Sequence, residues 1–264
     1  MKTRSRINFA AVLAGAAIVG TATAASAFDF KTNYDAALSG RDKWKGNLML
    51  ESVEFGGQTY TDFGLVESAN IVSNDLWTGG NTGAASADMG DKATIGLSSE
   101  RASASDIAQA LGNRNLSSII DTEDRGNFAI DLFFDSAIDN LLVWERGKNS
   151  KLDVQAIDKD GNALGNLLHL GSSRNWGNAG YKLNTLEIGG TQKVGSVGVS
   201  LADLGVSEAI YGVRVISKSS YNGPDWKVAG TAAPDATTPE PFSMIGSAIA
   251  LGGAAALKRR SKHK

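Results

Sequence analysis

The chain has 264 residues, with 26 Lys and Arg against 28 Asp and Glu, no cysteine, and a formal charge of −2. Without cysteine it can build neither disulfides nor thiolate metal sites, so its stability must come from its core. Eight of the basic residues stand in the two ends, which hold no acid, so residues 28–241 keep 18 basic against 28 acidic residues, a net −10. Nucleic acid is excluded as a partner on that ground, because phosphate binding depends on cationic neutralisation.

At the start, Lys2, Arg4 and Arg6 precede an apolar run from Phe9 to Val19, and small residues close it with Ala25-Ser26-Ala27 before Phe28. A charged start, an apolar core and an A-x-A site make a signal peptide over residues 1–27, with Ala25 and Ala27 read by signal peptidase. The run is shorter than the roughly 20 apolar residues that span a bilayer.

Residues 28–229 are long enough for one domain with a sizeable core. Leu48 to Phe55 and Gln58 to Phe63 flank Gly56-Gly57, a two-residue hairpin signal. Ser73 to Lys92 is rich in glycine and poor in apolar residues, so it is expected to be a long surface loop carrying Trp77. Ser103 and Asp106 form a capping box, Ile107, Ala108 and Leu111 give one apolar face, and Gly112 stops the helix.

Period-two alternation dominates the remainder of the body. Phe128, Ile130, Leu132 and Phe134 alternate with Asp131 and Asp135, a half-buried strand. Leu141-Leu142-Val143-Trp144 is apolar on both faces, so Trp144 belongs to the core. Leu152, Val154 and Ala156 make a further strand, as do Val197, Val199 and Leu201. In the last, Tyr211 shares a face with Val213 and Val215. Asp158-Lys159-Asp160-Gly161-Asn162 has its glycine at the fourth position, where a calcium loop needs it at the sixth. A hairpin turn with Gly161 at positive φ explains the same residues. Many short strands with one short helix predict an all-β fold, a jelly-roll-like β-sandwich between a signal helix and a C-terminal apolar helix.

The search for catalytic chemistry points away from an enzyme, with a secreted hydrolase built on an acid pair as the weakest of the readings. His169 is the one histidine of the body and alternates with Leu168 and Leu170, as a surface or edge residue would; no G-x-S-x-G elbow accompanies it. Zinc needs clustered His or Cys. Asp121, Glu123, Asp124 and Asp139 fit either a structural calcium site or a solvated acidic loop. Sugar binding is the rival to a purely structural role. Of Trp44, Trp77, Trp176 and Trp226, all in polar or Gly-rich surroundings, Trp77 and Trp176 are the candidates to stack on a pyranose ring.

At the far end, Gly230 to Thr238 is expected to be a flexible linker, 230–238, before a tail over 239–264. There Pro239-Glu240-Pro241 is followed by a Gly/Ala-rich apolar run from Phe242 to Leu257, then Lys258-Arg259-Arg260 and further cations. A basic cluster behind an apolar segment halts export with the cations on the cytoplasmic side. The three elements in this order resemble the PEP-CTERM sorting signal that exosortases recognise; Thr238 stands where that signal often has Val. The resemblance implies a bacterial protein exported across the inner membrane, which it occupies transiently as precursor. Exosortase would then process it for the cell surface or extracellular matrix, in contact with extracellular polysaccharide. A second likeness lies in the body. Asn113 to Asp124, Phe133-Phe134-Asp135, Asp139 to Gly147 and Gly223 to Lys227 resemble cyanobacterial-type exosortase-dependent surface proteins, and imply no enzyme activity and no cofactor.

Overall fold

The computed structural model describes residues 27–76, 85–88, 98–99, 102–171, 176–185 and 190–234. In chain order the strands are β1 Lys31–Ala36, β2 Leu48–Phe55, β3 Gln58–Tyr60, β4 Phe63–Gly64, β5 Val66–Asn74, β6 Ala85–Asp88 and β7 Ser98–Ser99. Helix α1, Ala104–Leu111, comes next. After it stand β8 Ile119–Thr122, β9 Phe128–Arg146, β10 Leu152–Ile157, β11 Ala163–Leu170, β12 Lys182–Leu183, β13 Gln192–Ser200, β14 Ile210–Ser217 and β15 Asp225–Ala232. The protein is an all-β sandwich of antiparallel strands with one short α-helix among the described residues.

The two apolar runs expected as separate strands are one strand, β9, of 19 residues. Its first half pairs with β14 and β5, from Phe128 to Phe134. Its second half pairs with β13 and β15, from Asn140 to Arg146. Register breaks against both β14 and β15 near Ile138, and the inward residues change from even numbers (Ile130, Leu132) to odd ones (Leu141, Val143). An extra residue in a strand bends it and reverses which side faces in. The single hydrogen-bonded sheet thereby folds over at this corner into two leaves. One leaf runs β11-β10-β14-β9-β5, the other carries β13, the rest of β9, β15, β8 and β6.

Between the leaves lies one core, with Ile130, Leu132, Val154 and Val213 from the first leaf and Val143, Val199, Trp226 and Val228 from the second. The second leaf is also covered on its other face by the small sheet β1-β2-β3. There Leu142 and Trp144 meet Phe30, Leu48, Leu50 and Val53. Phe30 stands edge-on to Trp144 at 5.3 Å, and the indole N–H donates to Thr32 Oγ1 at 3.0 Å. That is why Leu141 to Trp144 are apolar on both sides: they lie in a middle layer.

Local signals are met where their chemistry is specific. Gly56 and Gly57 sit at φ 57° and 77°, the geometry a two-residue hairpin turn requires. Ser103 caps α1, its side chain accepting from the Asp106 N–H while Asp106 accepts from the Ser103 N–H. Gly112 does end the helix, but at φ −77°; a Cβ there would collide with the carbonyl of Val66, so close approach selects the glycine.

Three expectations are corrected. Ser73 and Asn74 belong to β5, and Ala85–Asp88 form β6 beside β8, so Ser73 to Lys92 is not a simple loop. Gly230, Thr231 and Ala232 complete β15 against Leu141, Asn140 and Ile138, so the linker cannot start at Gly230 and the domain does not end at 229. Asp131, placed by alternation on the solvent face of its strand, is buried beneath Arg214, which clamps it at 2.5 and 2.8 Å. Apart from exposed Ala27, the signal peptide lies outside the described residues, as does the whole sorting tail. Among the described residues no helix is long and apolar enough to cross a membrane.

The most unusual core residue is Lys227, fully buried on β15. Its ammonium donates to the carbonyls of Ala110, Leu111 and Ser118 at 3.0, 3.4 and 3.1 Å, closing the C-terminus of α1 where helical carbonyls lack partners. Lys227→Met should lower stability by about 2 kcal/mol, because buried carbonyls lose their donor. Urea denaturation checks this; an unchanged midpoint would show that the lysine is not holding the helix.

Candidate functional site

The residues singled out in the sequence do not form one site. Trp176 is buried, its indole N–H donating to the Ser150 carbonyl at 2.9 Å. Gly171 and Gly195 make room for its ring. It is corrected from sugar platform to core. Trp226 is likewise fully buried, and Trp44 is half-buried against Tyr34 under the Lys43 ammonium. Trp77 lies outside the described residues, as do Pro239, Glu240, Pro241, Lys258, Arg259, Arg260 and Ala25.

The calcium reading of Asp121, Glu123, Asp124 and Asp139 is also corrected: among the described residues no three such side chains gather where they could hold a metal. Asp121 faces Arg146 at 3.9 Å. Asp139 sits at the corner of β9, bonded to Asn140 and Thr231. Arg146 is seven residues further along the same strand, about 20 Å at the rise of a β-strand. Sequence proximity of acids says nothing about convergence when an extended strand separates them. Millimolar calcium should therefore leave the melting temperature unchanged, since only a ligand that prefers the folded state raises it; a clear rise in a thermal melt would restore the site.

Among the described residues, three features bring polar groups together around a cavity or a buried charge. At one end of the second leaf, buried Arg146 donates to Asp225 Oδ2 through Nε and Nη2 at 2.9 and 2.6 Å, and to Thr185 Oγ1 at 2.8 Å. Burial and the Asp121 carboxylate push Asp225 upward, against the pull of Arg146. On the opposite face of the strand, Glu145 is fully buried. The turn through Lys148, at φ 61°, brings the Lys148 N–H back to it at 2.6 Å. Burial raises the Glu145 carboxyl to about 7, despite hydrogen bonds from Ser150 and Lys148 and the charge of Arg146.

The second assembly surrounds Asp153 on β10. Its carboxylate accepts from His169 Nδ1 at 2.6 Å, Lys218 Nζ at 2.9 Å and the Tyr221 hydroxyl at 2.8 Å. Burial would raise this carboxyl, but the three donors outweigh it and hold it below its usual range. The cross-strand register sets Asp153 opposite His169, so the histidine is exposed, as the alternation predicts, and oriented by an acid, which alternation within one strand cannot reveal. A carboxylate-oriented imidazole can act as a base. Here no hydroxyl or thiol nucleophile is shown bonded to it among the described residues, and the assembly ties the loop after β14 to the sheet.

The third is a groove of about 480 Å³ between the turn after β10 and the segment before β14, floored by Ile157, Val206 and Ile210 and edged by Asp158, Glu208, Leu164 and Tyr211. Alternation places Tyr211 inward with Val213 and Val215, yet it is 58% exposed while Ile210 is buried. The register against β9 slips between Ile210 and Gly212, and a slip of this kind re-aims a side chain. One wall, and the turn leading into the other at Gly205, are locked by their own side chains. Asp158 accepts from the Asp160 and Asn162 N–H groups at 2.9 Å each, with Gly161 at φ 82° as the turn chemistry predicts. Asp203 accepts from the Ser200 N–H and hydroxyl at 2.8 and 2.6 Å.

No family model matches this chain, and no curated protein matches it either. Geometry and chemistry alone must rank the assemblies; the groove combines a cavity with an exposed aromatic ring, and another hollow among the described residues, of about 670 Å³, lies between β5 and α1.

Glu145 sets a pH dependence. A carboxyl raised from 4.5 to about 7 on folding stabilises the protein below its unfolded value, and that contribution is lost as pH rises through 7. Unfolding free energy should fall by up to about 3 kcal/mol between pH 4.5 and 7, and Glu145→Gln should flatten this limb. Lys227, held down to about 7 by burial, acts in the window above, where stability returns as pH climbs towards the ordinary lysine value. Urea titrations at each pH test both limbs; a Glu145→Gln profile parallel to that of the parent between pH 4.5 and 7 would remove the assignment.

Proposed function

We propose that this chain is an exported, non-enzymatic protein of the bacterial cell surface or extracellular matrix, sorted and cut through its C-terminal tail by exosortase. The observation that carries the reading is the succession of sequence elements in the tail: Pro239-Glu240-Pro241, a short apolar run, then Lys258-Arg259-Arg260, opposite an N-terminal signal peptide. The acidic, cysteine-free body suits a protein that folds on its own core outside the cell and stays soluble there. Neither proline of the motif can donate a backbone hydrogen bond, and the residue before each is driven towards extended geometry. The motif therefore arrives at the membrane surface as an unwound strand that a protease cleft can accept, while the cations hold the end behind it in the cytoplasm.

A second reading, retention in exopolysaccharide as a carbohydrate-binding module, is favoured by one feature. The groove beside exposed Tyr211 offers an apolar floor and carboxylates at the rim.

Replacing Pro239 and Pro241 by Ala should leave an uncut precursor in the inner membrane. In the parent, mass spectrometry of surface material should find Phe28 at the start and no peptide beyond the Pro-Glu-Pro region. Surface protein that still ends at Lys264 would make the tail an ordinary anchor and sink the sorting reading.

A further inference from the structure

We infer that the groove edged by Tyr211 binds a neutral polysaccharide, with the phenol ring as the stacking face and Glu208 as an acceptor for sugar hydroxyls. The inference rests on the reading of the chain as a protein retained in exopolysaccharide, and gives that reading a site.

Three observations converge. The slip between Ile210 and Gly212 buries the isoleucine and turns the tyrosine outward, against the alternation of its own strand. The exchange keeps the burial of an aliphatic side chain and leaves the aromatic ring available at the surface. Leu164, 36% exposed, lines the same groove, so the exposed apolar surface is shared between two strands and is concave. The Asp158 wall is fixed by its own turn, and Asp203 pins the turn from Ser200 that leads into the other wall at Gly205. Binding there orders little of the protein, and pre-organisation is what lets a small contact area give measurable affinity.

The chemistry selects the ligand. A pyranose presents an apolar C–H face and a rim of hydroxyls, which matches an apolar floor edged by acceptors. Asp158 and Glu208 outnumber the single lysine at the rim, Lys159, and the body as a whole is net −10. Polyanions such as uronic-acid polymers or nucleic acid would be repelled. Asp158 is occupied by its own turn, whereas Glu208 is exposed and shows no partner among the described residues. It is the acceptor free to meet a hydroxyl.

The test is calorimetric titration of the full chain, held in one mild detergent throughout, against neutral hexaoses of α- and β-linked glucose, mannose and galactose, with an oligouronate alongside. Saturable binding of at least one neutral series, weakened about tenfold by Tyr211→Ala, restored by Tyr211→Trp and untouched by Leu76→Ser, supports the site. Leu76 is exposed outside the groove and controls for adhesion to any apolar surface. Unchanged melting temperatures guard against a folding defect. Three results would overturn the inference: no neutral series binding the folded parent, the oligouronate binding as well as any neutral sugar, or Tyr211→Ala binding the neutral sugar as tightly as the parent. None of these depends on how the tail is processed, so a failed groove and a failed export reading remain distinguishable.

Discussion

Strand β9 belongs to both leaves of the sandwich, and its neighbours are arranged by that double membership. Four strands pair along its two halves, β14 and β5 on the first, β13 and β15 on the second. The corner near Ile138 therefore fixes the angle between the leaves as well as the register within each. Backbone contacts there are tight enough to dictate composition. A Cβ on Gly64 or Gly230 would strike the Ile138 side chain, so the crossing strands can be covered only by glycine. Beyond the corner the strand is covered on both faces, and its two rows of apolar side chains enter separate cores.

The middle layer also explains why charges are buried in it. A strand sandwiched between two cores reaches its end with no solvent face, so Glu145 and Arg146 point into opposite interiors. Arg146 is satisfied by Asp225 and Thr185 from neighbouring segments, which is the condition for a buried ion to be tolerated. Lys227, on the adjacent strand, is held by three carbonyls, two from the end of α1, and shows no carboxylate partner among the described residues. Each is costly to remove alone, because its buried partners then lose their donor or acceptor. They do specify which helix end and which loop dock against the middle leaf, since any other arrangement would leave a charge without its donors or acceptors.

What the sequence made legible was local. The Gly56-Gly57 turn, the Asp158 to Asn162 turn, the Ser103 capping box and the two-sided apolarity of Leu141 to Trp144 each depend on residues adjacent in the chain. What it hid depends on pairing between distant segments. Trp176, in a polar stretch that suggested exposure, is buried because Gly171 and Gly195 yield space to it. The acids from Asp121 to Asp139 looked like a cluster because they are close in number, yet β9 carries the last of them away. Asp153 and His169 meet only through the register of β10 with β11. The groove was least legible of all, because it depends on a slip that inverts the side expected for Tyr211.

That inversion bears on how the surface should be understood. The polar assemblies of this fold are self-contained: Arg146 and Asp225, Asp153 with its three donors, and Asp131 under Arg214 each satisfy one another inside the protein. A side chain engaged in this way has spent its hydrogen-bonding capacity on the fold and has little left for a ligand. The groove differs in kind. Its rigidity comes from Asp158 and Asp203 bonding their own backbones, which leaves the ring of Tyr211 and the carboxylate of Glu208 out of the supporting network. Separation of the groups that hold a site from the groups that meet its ligand is what a binding surface requires. On the proposed reading, recognition would fall to the turns bordering the first leaf, and the middle layer would hold them in place.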